Sequence, residues 1–357
     1  MARFGTMISD RRAGEGLALV AALSFGAAAP IAKLLLEDVS RLVLSGLLYV
    51  GAGLGLFAWM LVRKRTTEAP LDRRDVPILA AMVAIGGVAA PFLLLYGLER
   101  TSGFAGSLGL AMELPITVLL ALTFFGESAS RREVLGLLVT IAGTLLLLGS
   151  ESGLGAVQLS GLAAVIGAAG LWALDSNLMQ RLSGKDPAAI AAAKCATAGT
   201  ASLALALLSG ERIPSDVPLV GASLLVGFFG YGVSIACFAA ALRRLGTART
   251  GALFATAPFL GGLIAIPIFA ILPTMWGWLS GIVLAIGVGI LIAARHEHEH
   301  AHVALEHDHR HVHDEHHRHD HAPGDPAGEP HAHRHRHEPL THAHSHVADL
   351  HHRHGHD

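Results

Sequence analysis

S-G-F-A-G-S-L-G-L-A-M-E-L-P-I-T-V-L-L-A-L-T-F-F-G-E, residues 102–127, is an apolar stretch with a carboxylate, Glu113, and a proline, Pro115, at its centre. Its length suits a helix crossing a hydrocarbon core about 30 Å thick. A carboxylate at mid-depth costs a few kcal/mol unless it faces protein, a partner or water, which makes Glu113 a candidate functional residue. Pro115 removes a backbone donor and frees a carbonyl, tolerable only where neighbouring helices or an aqueous path satisfy it. The stretch 252–271 has the same build around A-T-A-P, with Pro258 central and no acid. The pairing suggests an internal repeat.

Working outward, 52% of the residues are apolar and 15% are charged, with the charge gathered in short breaks. Runs of about 20 apolar residues fall at 16–36, 42–62, 76–98, 102–125, 133–149, 159–182, 188–208, 217–242, 250–272 and 275–294. They predict ten membrane helices, the fifth being the shortest. The first thirteen residues are polar and the first apolar run is long enough to span, so no cleavable signal peptide is expected. Cys195 and Cys237 both lie inside apolar runs and read as packed thiols, not a disulfide framework.

Lys and Arg accumulate in short cytoplasmic loops. With the N-terminus inside, sixteen of them fall on the cytoplasmic side and three, Arg41, Arg100 and Arg212, on the other. Both termini are therefore expected in the cytoplasm. Five helices per half is an odd number, so a second copy inserts upside down relative to the first. This inverted-repeat plan is common among secondary transporters, whose sites lie near mid-membrane at interrupted helices. The expected organisation is an N-terminal segment 1–15, five-helix repeats at 16–149 and 150–294, and a tail from 295 to 357. In the first helix of each half, Trp172 stands where Phe25 does.

Four charged residues lie inside spans: Lys33, Glu113, Asp175 and Lys194. Asp175 and Lys194 both sit in the cytoplasmic third, where they could pair; Lys33 lies roughly 8 Å outward of Glu113, at 1.5 Å rise per residue. The substrate pathway is read at Pro30, Lys33, Glu113, Pro115, Asp175, Lys194 and Pro258. The plainer alternative is that the charges are structural ion pairs and that Lys33 snorkels to the interface. Small residues spaced four apart, Gly51 and Gly55, Ala105 and Gly109, Gly277 and Gly281, read as helix packing faces and not as a dimer seam.

These residues resemble the EamA-type transporters of the drug/metabolite transporter superfamily. The resemblance rests on Pro30 and Lys33, and on E-L-P-I-T-V-L-L-A-L-T-F-F-G-E-S-A-S-R-R-E-V-L-G-L-L-V-T-I-A-G from Glu113 to Gly143. It implies an all-α protein of the plasma (inner) membrane with ten helices and both termini inside, exporting small metabolites such as amino acids. The second half departs from the pattern. Twelve residues after Pro115 stands Glu127, but twelve after Pro258 stands Ala270.

The tail is a different polymer. All 23 histidines lie between His296 and His356. Residues 296–321 align without gaps on 331–356, and eleven of the twelve histidines in the first copy meet a histidine in the second. Too few apolar residues are present for a core, so the tail is expected to be disordered. Imidazole is a good ligand for zinc, nickel, cobalt and copper. The expected metal ligands are His296, His298, His300, His302, His307, His309, His311, His316, His317 and His319 in the first copy. In the second they are His331, His333, His335, His337, His342, His344, His346, His351, His352 and His354.

Three functions fit the sequence: export of a small organic metabolite with a metal-binding tail, transport of a divalent transition metal gathered by that tail, and metal storage or sensing without transport. The spans contain no histidine, which weakens metal as cargo. No nucleophile constellation or phosphate loop is present, so an enzyme is not expected. The transporter reading needs no cofactor. Its partners are membrane lipid, a small solute and a coupling ion, with H+ the candidate; nucleic acid is not expected, and a homodimer stays open.

Overall fold

The computed structural model describes residues 2–62, 71–124, 130–152, 155–182, 185–245 and 247–293, together with four tail strands. Ten helices are long and apolar enough to cross a membrane: α1 Arg12–Leu35, α2 Arg41–Val62, α3 Val76–Arg100, α4 Gly103–Leu120, α5 Arg131–Ser150, α6 Ala156–Met179, α7 Pro187–Leu208, α8 Val217–Ala241, α9 Arg249–Phe269 and α10 Met275–Ala293. Each matches a run expected from hydropathy. The fifth is not the shortest, because α5 covers 20 residues and α10 covers 19. A capping box sets its start: the Ser130 N–H donates to Glu133 Oε2 at 2.7 Å and the Glu133 N–H to Ser130 Oγ at 3.2 Å. Polar residues before the apolar run are thereby drawn into the helix. Asp186 and Asp216 are simple N-caps of α7 and α8, accepting from the Ala188 and Leu219 N–H groups.

The helix contacts follow one exchange pattern between the first five and the last five helices. Counterpart helices lie against one another: α2 on α7, α4 on α9, α5 on α10. The remaining main contacts exchange under the same rule, since α3 on α6 answers α8 on α1, and α1 on α9 answers α6 on α4. Phe25 and Trp172, aligned in the two halves, meet edge-on with ring centroids 6.4 Å apart. The small-residue faces serve this internal packing. Gly51 and Gly55 lie against Leu224 and Phe228 of α8, and Gly277 and Gly281 against Phe104 and Leu108 of α4.

The loop charges differ between the two ends of the bundle. At one end Arg41 and Arg100 both pair with Glu99, at 3.4 and 2.9 Å, and both lie over the Tyr96 ring. At the other end Lys185 pairs with Asp72 and Asp75, at 3.6 and 3.4 Å. The Arg74 N–H on Asp72, with Lys185 beside it, holds that exposed carboxyl below its ordinary range.

Short paired segments are described within the tail. Strand β1 (Glu297–His302) pairs antiparallel with β4 (Leu340–Ser345), and β2 (Leu305–His311) with β3 (His331–His337). The physical reason lies in the alternation H-x-H-x-H, whose period of two is that of a strand and not of a coil. Of the expected ligands, His296, His316, His317, His319, His346, His351, His352 and His354 lie outside the described residues, as does Glu127.

Candidate functional site

The proline in the opening stretch breaks its helix as its chemistry requires. Residues Gly103–Gly109 are α-helical, Leu110–Met112 tighten into a 3-10 turn, and a second helix starts at Glu113. Pro115 offers no N–H to the carbonyl of Ala111, and its ring crowds the preceding turn. Glu113 thus begins the second helical segment, its N–H donating to the Leu110 carbonyl. Thr117 Oγ1 donates back to the Glu113 carbonyl at 2.8 Å. The carboxylate itself is partly buried, and Oε1 accepts from Ser176 Oγ of α6 at 3.5 Å, the long limit for such a bond.

Next to Ser176 stands Asp175, 7% exposed, whose Oδ2 is ion-paired with Lys194 Nζ of α7. The pairing anticipated from depth is present. Asp175 Oδ1 is buried and finds no hydrogen-bond partner among the described residues. Such an atom is costly, about 1–3 kcal/mol, and calls for an explanation in the function of the site.

The third wall was not legible in advance. The middle of α3, Val83–Ala89, is wound as a π-helix, and so is Phe228–Val233, the middle of its counterpart α8. Wide turns leave carbonyls without their usual partner. The carbonyl of Gly86 is satisfied by two aromatic donors, Tyr49 Oη at 2.8 Å and Trp172 Nε1 at 2.9 Å. On its other side Gly86 touches Asp175 so closely that a Cβ there would stand 2.4 Å from Asp175 Cγ. Only glycine fits. The glycine doublet Gly86-Gly87, answered by Gly230-x-Gly232 in α8, was the available signal.

The ninth helix repeats the break without the acid. It is helical over Thr247–Phe254, interrupted at Ala255 and Thr256, and resumes at Ala257 with Pro258 in its first turn. Gly26 of α1 packs against this break, where an added Cβ would lie 2.3 Å from the Ala257 carbonyl oxygen. Ala270, in the place of the expected loop acid, ends the helix in the left-handed region with φ of 53°. Pro30 is buried within an unbroken α1. The Lys33 ammonium donates to the Leu98 carbonyl and lies 5.9 Å from the centroid of the Phe269 ring.

The assembly is therefore a set of polar groups held in a helical membrane bundle, at the meeting of one broken helix, one π-wound helix and an intramembrane ion pair. That is the architecture of a multi-pass membrane transporter built from paired repeats. The chain belongs to the EamA-like transporter family, whose sequence profile matches it twice, over residues 12–149 and 159–293. It is 29% identical over 284 residues to an uncharacterized transporter from Methanothermobacter thermautotrophicus, covering 75% of this chain and 83% of that one. One solved crystal structure superposes with a TM-score of 0.58 at 19% identity, over 78% of this chain and 95% of the other, a likeness of fold alone.

Proposed function

We propose that this membrane transporter exports a small organic metabolite by alternating access, with Glu113 and the Asp175–Lys194 pair on the pathway and H+ as the coupling ion. The single observation that carries the reading is Asp175 Oδ1, a buried carboxylate oxygen without a hydrogen-bond partner among the described residues, beside a broken helix and a π-wound helix. A carboxylate so placed suits a group that binds a proton or a cationic substrate moiety in one state and releases it in the other. Glu113, linked to the same strip of α6 through Ser176, suits the same exchange. Metal cargo fits less well, because among the described residues no three His, Cys, Asp or Glu side chains are grouped to hold an ion.

The distribution of Lys and Arg supports cytoplasmic termini, with the Glu99-paired Arg41 and Arg100 on the outer face. Reporter fusions after Gly149 should read outside and fusions after Val62 inside; the reverse result would turn the protein over. The substrate class is tested in a strain lacking the protein, challenged with toxic amino acid and amine analogues and with nickel, cobalt and zinc salts. Sensitivity to an organic analogue, restored by the intact chain, is expected. Sensitivity to metals alone would replace this reading with metal export.

A further inference from the structure

The helices that build the Asp175–Lys194 wall carry two further layers toward one end of the bundle. Gly86 of α3, Asp175 of α6 and Lys194 of α7 each have an apolar residue about one turn further toward that end: Met82, Met179 and Ile190. Met82 and Ile190 are buried together with Leu182 in a small apolar cluster, on which Met179 and Leu71 pack. Leu71 begins the strap that leads into α3. The next residues of that strap, Asp72 and Asp75, hold Lys185 at 3.6 and 3.4 Å. The Lys185 side chain is 12% exposed and that of Asp75 14%, so this pair is largely withdrawn from the solvent that weakens surface ion pairs.

Helix stability does not explain the lysine. Lys185 stands directly before Asp186, the N-cap of α7, where a positive charge opposes the helix dipole. Its partners are the two carboxylates of the strap, and the contact ties the first five-helix repeat to the second. The exchange pattern of the helices relates these two loops to the α1–α2 and α7–α8 loops at the opposite end. There Ser40 Oγ donates to Glu211 Oε2, again one repeat to the other, but with one charge in place of three and with Ser40 exposed.

We propose that Lys185, Asp72 and Asp75, with Met82, Leu182 and Ile190 next to them, form the cytoplasmic gate of the pathway, closed in this structure. The inference rests on the reading that puts the Asp175–Lys194 pair on the pathway with the α2–α3 and α6–α7 loops in the cytoplasm. The apolar layer stands between that pair and the cytoplasmic solvent, so a solute or proton reaches Asp175 from this side only when the ends of α3, α6 and α7 part. Parting them breaks two ion pairs, whereas the corresponding movement at the outer end breaks one hydrogen bond. The end held by ions is the one that stays shut in the empty protein.

The native thiol of Cys195, 4% exposed and next to Lys194 in the chain, reports on the gate without any substrate. In Cys237→Ala protein in oriented vesicles, a membrane-impermeant maleimide should label Cys195 slowly from the cytoplasmic face. Lys185→Met should raise that rate roughly fivefold, the factor that about 1 kcal/mol of lost ion pairing gives. The rate from the outer face should not change. Lys185→Arg keeps the charge and should stay near the starting rate, as should Ser40→Ala. Leu182→Ala thins the apolar layer with the latch intact and should also raise cytoplasmic labelling; it decides the matter if Lys185→Met does not reach the membrane. Unchanged labelling in these variants, or a rise from the outer face or from both faces equally, would overturn the gate. A rise confined to the cytoplasmic face supports it even where Asp175→Asn transports normally, a result that would remove only the pathway reading.

Discussion

The fourth and ninth helices are counterparts that pack on each other, both broken at a proline, yet only one carries an acid. In α4 the break presents Glu113 toward Ser176 and, beside it, the Asp175–Lys194 pair. In α9 the matching position, two residues before the proline, holds Thr256, whose Oγ1 donates to the Leu253 carbonyl at 2.6 Å, and the next residue, Ala257, packs closely on Gly26. The π-wound middles of α3 and α8 divide in the same way: Gly86 serves the ion-pair wall, while Gly230 packs on Ala28 of α1. Both halves carry a helix break, and the intramembrane acid stands at only one of them. A symmetric scaffold can rock between two states while an asymmetric site binds in its middle, so the difference bears directly on mechanism.

The largest expected effect tests the asymmetric side. Asp175→Asn or Lys194→Met alone leaves a buried charge without its partner and should cost about 3–5 kcal/mol of stability. The double variant should recover most of it, read as melting temperature in detergent. Additive losses would mean that the two residues do not act as a pair. A smaller effect is expected at Gly86, where Gly86→Ala drives a methyl into Asp175 and should cost about 1–3 kcal/mol together with loss of transport. Gly221→Ala, with nothing within 4 Å of its added Cβ, is the control and should be close to neutral.

Much of this was written in the sequence, for identifiable reasons. Hydropathy located ten spans because a hydrocarbon core demands about 20 apolar residues from each. The Asp175–Lys194 pair was legible because two opposite charges at one depth have few other partners in a membrane. The π-helical segments were not, since an all-apolar helix gives the same pattern whether its turns close at four residues or five. Nor were the donors Tyr49 and Trp172, which reach one carbonyl from positions far away in the chain. The start of α5 was missed for a simpler reason: Ser130 and Glu133 form a capping box that a count of apolar residues passes over.

The most direct test of functional asymmetry needs no change in stability. Purified wild type, Glu113→Gln and Pro258→Ala are reconstituted into vesicles, and transport of the compound found in the sensitivity screen is measured at several pH values. Glu113→Gln should reach the membrane and fold as wild type does but lose the pH dependence of transport, while Pro258→Ala keeps that dependence at whatever rate it retains. A Glu113→Gln protein with an unaltered pH profile would contradict the account.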